Sequence, residues 1–241
     1  MGNTSNYLTK EIVKFCSLMD SKGFTANHDG NISTLVGNEI IATPTAESKG
    51  LITPEMIIKL DNQGKKISGL GKPFSEIKLH LAAYSARADA LAVMHAHPPF
   101  ATARGLVQQD LIPSLPEAIV SLGEKIPVID FAMPGTKESE EYIYQAFLKY
   151  DSILIPGNGV LTIGQNLEQA WLRLELVEHL AKIEHLANSM GTQMKLNQDQ
   201  INLLLEKRKA AGLSPKLKEK THTLEDVIAS EIKKELLGIN K

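Results

Sequence analysis

Apolar residues fall into a helical rhythm at the start of the chain. In residues 8–22, LTKEIVKFCSLMDSK, Ile12, Val13, Cys16 and Met19 share one stripe and Gly23 follows as a stop, which predicts an opening helix with Cys16 buried on its apolar face. The rhythm then shortens. In HDGNISTLVGNEIIATPTA, Gly30 marks a turn, a strand is expected around Ile32 to Val36, and the Gly-Asn-Glu turn leads to a second strand over Glu39 to Thr43. The start of the fold therefore reads as a helix followed by a β-hairpin.

The next pieces alternate between the two periods. A short capped helix is expected near Thr53-Pro54, followed by a strand and a turn at Asn62 to Gly64. PFSEIKLHLAAYSARAD reads as a helix, with Ser75 as candidate N-cap and Ile77, Leu81 and Tyr84 on one stripe. ALAVMHAH has strand length and is ended by Pro98-Pro99, which cannot continue a paired strand. Further along, helices are expected at PPFATARGLV, SLPEAIVSLGE, Ser139 to Leu148 and Leu167 to Met190, with strands at PVIDFA, SILIP and VLTIG. This intermingling places the chain in the α/β class.

From Thr192 the pattern turns polar and rich in lysine, with helices expected at NQDQINLLLEKRKAAG and LEDVIASEIKKELLG on either side of a break at LSPK. Fifty residues bury little surface alone, so residues 192–241 read as an appended helical extension and residues 1–191 as the main domain. No internal repeat interrupts this division.

Composition narrows the function. With 241 residues, 43% hydrophobic and 22% charged, the chain can bury a full core. A formal net charge of −2 and no basic patch with interleaved aromatics give no reason to expect nucleic acid or an anionic membrane as partner. Its one cysteine excludes an internal disulfide, and no apolar run has the length of a membrane span. A cytoplasmic location is the resulting expectation.

The candidate chemistry starts at MHAHPPFAT. His95 and His97, two apart on a strand, project to the same face and can converge on one ion, although histidines also sit in cores and donate to carbonyls. Glu76 and His80 lie four apart on one helix face, where they either aim at a cleft or serve the helix terminus and the core. HDGNIS offers Gly30 and Asn31 for an anion, and TPTAES offers Thr43, Thr45 and Ser48 as hydroxyl donors; both also fit ordinary turns. PGNGVLTIG has glycines at positions 157, 159 and 164, a spacing that fits neither a dinucleotide fingerprint nor a Walker loop.

Taken in order, GNIS, ATPTAESKGLITPEMIIKLD, GKPFSEIKLHLAAYSARADALAVMHAHPPFATA, SLPEAIVSLGEKIPVIDFAMPGT and GVLTIGQNLEQAW resemble the class II aldolase/adducin family, which includes fuculose-phosphate and rhamnulose-phosphate aldolases. The resemblance runs from about residue 10 to 190. It implies a three-layer α/β/α domain with a mostly antiparallel central sheet, assembled as a homotetramer, to which the helical C-terminal tail read from the polar pattern is appended. It also implies a divalent metal, zinc with manganese or cobalt as alternatives, held by His95, His97 and a third ligand position occupied here by Asn158 where the family has histidine.

Glu76 is implied as general acid/base, and Glu117 stands near the place of a catalytic tyrosine in some aldolases. Gly30, Asn31, Thr45 and Ser75 match substrate-binding positions, while Ala46 and Phe74 depart from the family's phosphate-binding pairs. The implied reaction is lyase chemistry on a small hydroxycarbonyl or sugar-phosphate-like substrate, through a metal-stabilised enediolate. The alternatives are a same-fold dehydratase or decarboxylase, and a non-catalytic scaffold like the adducin head.

Overall fold

Strand β5 (Ala92–Ala96) lies near the centre of the structure, a computed structural model that describes residues 2–133, 135–191 and 193–218. Its partners are β1 (Asn31–Val36) on one side and β7 (Val160–Gly164) on the other, both antiparallel. Outward from β1 come β2 (Glu39–Ala42), β3 (Ile58–Asp61) and β4 (Lys66–Ser68), and β6 (Ser152–Leu154) closes the opposite edge beyond β7. Every pairing in this seven-stranded sheet is antiparallel.

Alternation along β5 sorts the core into two layers. Ala92, Met94 and Ala96 join Phe15, Trp171 and Leu174 under α1 (Gly2–Ser21), α3 (Pro99–Leu106), α4 (Pro116–Leu122) and α6 (Leu167–Met190). Val93 faces the other way, with Leu161 and Ile163, into the layer covered by α2 (Ile77–Ala86) and α5 (Lys137–Phe147). All five β5 residues are buried, so the strand needs no polar face and reads in sequence as a continuous apolar run. The three-layer α/β/α arrangement inferred from sequence is the one observed.

Local rules account for the boundaries. The Asn166 side chain accepts from Gln169 N–H at 2.8 Å and starts α6, and Gly23, at φ +68°, ends the first helix with Phe24 N–H bonded to the Met19 carbonyl at 2.9 Å. Cys16 is fully buried, and burial pushes its thiol up to about 12, so it is an inert packing residue. Two expectations fail. PVIDFA forms only one parallel bridge, Val128↔Leu154, because Pro127 has no N–H and the Val128 N–H is taken by Asp110 Oδ1 at 2.8 Å. Ser75 is not the cap of α2, which starts one residue later with Glu76 at the N-cap position. The short edge strand β4 adds an element that periodicity did not indicate.

The polar tail returns to the body. Helix α7 (Gln198–Ala210) starts with a capping box between Asn197 and Gln200 and packs on α4. Its Arg208 is buried, donating to the carbonyls of Val120 at 3.0 Å and Ser121 at 2.8 Å and pairing with Asp151. Asp151 is fully buried and also meets Arg87 at 3.0 Å and Arg173 at 2.7 Å, while Asp89 clasps Arg87 through two contacts of 2.7 and 2.8 Å. Burial lowers Arg173 to about 10, Asp151 opposing and the neighbouring guanidiniums reinforcing the shift. Beyond α7, Ala88 N–H bonds the Lys216 carbonyl at 2.7 Å. The helix expected at LEDVIASEIKKELLG lies outside the described residues.

Asp151 is thus shared by three guanidiniums from separate parts of the chain. Replacing it by Asn leaves those three cations with Asp89 as their only carboxylate among the described residues, and Asp151→Asn is expected to cost about 3–5 kcal/mol in urea unfolding. A loss below about 1 kcal/mol would mean that solvent already neutralises the cluster.

Candidate functional site

The register of β5 assembles the site. Asn31, the first residue of β1, lies directly across from His95, and Val160, the first of β7, lies across from Ala96. Cross-strand partners share a face, so Asn31 and His95 project together. Two glycines let the flanking strands approach. A Cβ on Gly30 (φ +76°) would stand 2.8 Å from the Thr25 methyl and 3.0 Å from the His95 carbonyl, and one on Gly159 (φ +73°) would collide with the Ala96 carbonyl and the His97 ring.

The two imidazoles meet through their Nε2 atoms, 3.2 Å apart. His95 Nδ1 lies 3.0 Å from the Val160 carbonyl, which can only accept, so that nitrogen carries the proton and Nε2 presents a lone pair. His97 Nδ1 faces Asp29 Oδ2 at 3.5 Å. Just beyond, Glu178 of α6 accepts from the N–H groups of Phe100 at 3.1 Å and Ala101 at 2.8 Å, capping the helix that follows Pro98.

Glu76 completes the cluster. Its Oε1 accepts from Asn158 Nδ2 at 2.6 Å and its Oε2 from Asn31 Nδ2 at 3.0 Å, with His95 Nε2 3.5 Å away. Burial is the largest single influence and disfavours the anion, but His95, the two amides and His80 together outweigh it, so the carboxyl titrates below its usual range and is ionised at neutral pH. Burial and the neighbouring His95 lower His97, against Asp29, Glu76 and the Asn158 side chain, which favour its charged form.

The donor set suits a cation on one side. Tetrahedral zinc with nitrogen ligands at 2.0–2.1 Å places those nitrogens about 3.3 Å apart, close to the observed Nε2 separation. Among the described residues no group of three or more His, Cys, Asp or Glu side chains encloses an ion. What is present is an open half-shell: two imidazoles, with the Glu76 carboxylate beside them and two amides holding it. Asn158 turns its amide nitrogen to Glu76, as the ionised carboxylate requires.

The remaining residues named from sequence make no side-chain hydrogen bond or ion pair to Glu76 or the two histidines among the described residues. Thr45 and Ser75 are exposed, and the Thr45 N–H is used by the Lys72 carbonyl at 2.9 Å. Glu117 sits on the exposed first turn of α4, with no hydrogen bond or ion pair to Glu76 or the histidines among the described residues. His80 turns inward: Nδ1 bonds Ser33 Oγ at 2.7 Å, which bonds Tyr84 OH at 2.6 Å, and its ring packs on Phe74 at 5.0 Å between centroids. Asp29 and Glu178 were not anticipated. Both act through contacts between distant segments, and only the charge beside Gly30 in HDGN could have drawn attention to Asp29.

Comparison with known proteins agrees with this architecture. The profile described as Class II Aldolase and Adducin N-terminal domain matches residues 10–185. An L-fuculose phosphate aldolase of Methanococcus vannielii is 32% identical over 180 residues, 75% of this chain and 97% of that protein. The L-fuculose phosphate aldolase of Escherichia coli (strain K12) is 32% identical over 211 residues, 86% of this chain and 97% of its own length. A solved L-fuculose 1-phosphate aldolase superposes with a TM-score of 0.78 at 29% identity, over 84% of this chain and 96% of that one.

Two outcomes are expected from the geometry. Gly159→Ala forces a positive φ and a collision onto the strand start, and should cost about 1–3 kcal/mol in denaturant unfolding while shifting the His97 ring in a crystal structure; an unmoved ring would refute the close-approach argument. His80, fully buried, is lowered by desolvation to about 3, so the native state excludes a proton that the unfolded chain takes up below about 6.5. Its contribution is complete above about pH 6.5 and is lost as pH falls toward about 3, at up to about 1.4 kcal/mol per unit. His80→Gln should flatten that acid slope in urea titrations, and parallel slopes would contradict it.

Proposed function

The chain belongs to the class II aldolase and adducin N-terminal domain family, and from that premise we propose that it is a metal-dependent lyase of aldolase type, acting in carbohydrate metabolism on a small hydroxycarbonyl or sugar-phosphate-like substrate. The observation that carries the reading is the pair of imidazole Nε2 atoms 3.2 Å apart, with an ionised carboxylate 3.5 Å from one of them. His95 and His97 are the ion ligands, and Glu76 and Asn158 complete the near shell. A zinc, manganese or cobalt ion held there would supply Lewis-acid polarisation of a substrate carbonyl and would offset the negative charge that C–C cleavage leaves.

The chain's own residues do the rest. Glu76 is held at both oxygens by amide donors, which keep it anionic and aim it along the site as the group that accepts and returns the proton. Asn31, with Gly30 behind it, orients the polar end of the substrate, and Thr45 and Ser75 offer hydroxyls at the exposed rim. Glu117 lies at the surface, and a role as proton donor requires it to approach the site from a neighbouring subunit of a homo-oligomer, for which the tetramer is our reading. The relatives' names support a phosphorylated sugar. Phe74, buried against His80, and Ala46 supply no side-chain donor for a phosphate, which favours a smaller or unphosphorylated end group.

Residues 1–191 form the catalytic unit in this reading, with residues 192–241 as an appended element, of which the described helix α7 is anchored by Arg208. A cytoplasmic location accords with the metabolic role; among the described residues no helix is long and apolar enough to cross a membrane. A non-catalytic scaffold is the second reading, favoured by the 2.6 Å bond from Asn158 to Glu76, which occupies the carboxylate where a third imidazole would have served an ion.

Elemental analysis of untagged protein purified without chelator decides between them, together with an assay for aldehyde release from hydroxycarbonyl compounds and sugar 1-phosphates. Stoichiometric divalent metal that disappears in His95→Ala, with aldehyde released, is the expected result; no metal and no cleavage would leave the scaffold. Asn158→His adds an imidazole beside the pair and should tighten zinc by about tenfold or more, equivalent to about 1.4 kcal/mol. An unchanged affinity would mean that Asn158 does not border the ion.

A further inference from the structure

A pair of histidines whose Nε2 atoms touch can satisfy itself. If His97 carried its proton on Nε2, the tautomer that an isolated imidazole side chain favours, it would donate to the bare His95 Nε2 across the 3.2 Å gap and leave nothing for a cation. The opposite tautomer, protonated on Nδ1, turns two lone pairs toward the same point. What separates a closed pair from an open chelate is therefore the partner of His97 Nδ1, and that partner is Asp29, whose Oδ2 lies 3.5 Å away.

Asp29 is held where it can do this. Its N–H bonds the Ala26 carbonyl at 2.9 Å in a turn with positive φ at Asn27 (+52°), and Gly30 follows at φ +76°. Beneath the turn, the buried Lys49 donates to the carbonyl of His28 at 3.4 Å and to that of Glu47, tying the turn to the loop that follows β2. His97 is fixed from its own side, its N–H bonding the Phe24 carbonyl at 2.8 Å. The carboxylate and the ring thus sit on two backbones that are each pinned, and the separation between them is set by the fold.

We propose that Asp29 is a positioning residue that holds His97 in the Nδ1–H tautomer, so that His95 and His97 present two lone pairs to a divalent cation and do not bond to each other; this rests on the reading of both imidazoles as ion ligands. Lys49 serves the same end by fixing the turn that carries Asp29. A carboxylate behind a ligating histidine sets the ring's orientation and raises its basicity, and losing such a partner weakens metal binding by about 10–100-fold.

The test measures zinc affinity by competition with a chromophoric chelator for the wild type, Asp29→Ala, Asp29→Asn and His95→Ala. Histidine tautomers in the zinc-free proteins are read from long-range 15N–1H correlation spectra, with His97 assigned from the spectrum of His97→Gln. Expected are an Nδ1–H tautomer for His97 in the wild type, a switch to Nε2–H in Asp29→Ala, and zinc binding weakened there by about 10–100-fold. Asp29→Asn, whose amide oxygen still accepts from Nδ1, should keep the tautomer and lose less, which separates orientation from any effect on folding. Wild-type affinity in Asp29→Ala, or an Nε2–H His97 in the wild type, overturns the proposal while leaving the metal-ligand reading intact. Wild-type protein that binds no zinc overturns that reading and the proposal with it.

Discussion

The pairing of β5 with strands on both sides is the constraint on which the site depends. Asn31 opposite His95 and Val160 opposite Ala96 bring three chain segments to one point, and the His95 ring is fixed by the carbonyl of the neighbouring strand. A slip of one residue along β5 would turn His95 into the opposite layer and bring Met94 or Ala96 to its place. Gly30 and Gly159 are part of the same constraint, because any side chain at either would push a flanking strand away from β5 at the level of the histidines.

Charge is handled differently at the two buried polar centres. Around Asp151 the carboxylate is surrounded by guanidiniums from α6, α7 and the end of α2, so the cluster joins elements and is unsuited to take a ligand. Around Glu76 the partners are neutral amides and imidazoles, which favour the anion without supplying a fixed positive charge. That difference leaves the second centre with unspent capacity for a cation, and the facing Nε2 atoms of His95 and His97 mark where it fits.

Much of this was legible in the sequence where one segment decided the outcome. The 167–190 helix, the hairpin and β5 followed from periodicity and from Pro98-Pro99, and family-ordered motifs placed Glu76, Asn31, His95, His97 and Asn158 together. The sequence was less informative where a distant partner decides. PVIDFA has strand composition, but a side chain from Asp110 takes one of its donors. His80 shares a helix face with Glu76 by spacing, yet Ser33 and Tyr84 draw it into the core. Asp29, Glu178 and Arg208 each act on residues far along the chain, and no local pattern announces such contacts.

The reading stands or falls on whether the two imidazoles share an ion. Anomalous diffraction at the zinc edge, from crystals grown with zinc, locates that ion without reference to activity. The account predicts one strong peak within about 2.1 Å of both His95 Nε2 and His97 Nε2, beside the Glu76 carboxylate. No peak there at saturating zinc, with the two imidazoles hydrogen-bonded to each other, would contradict it.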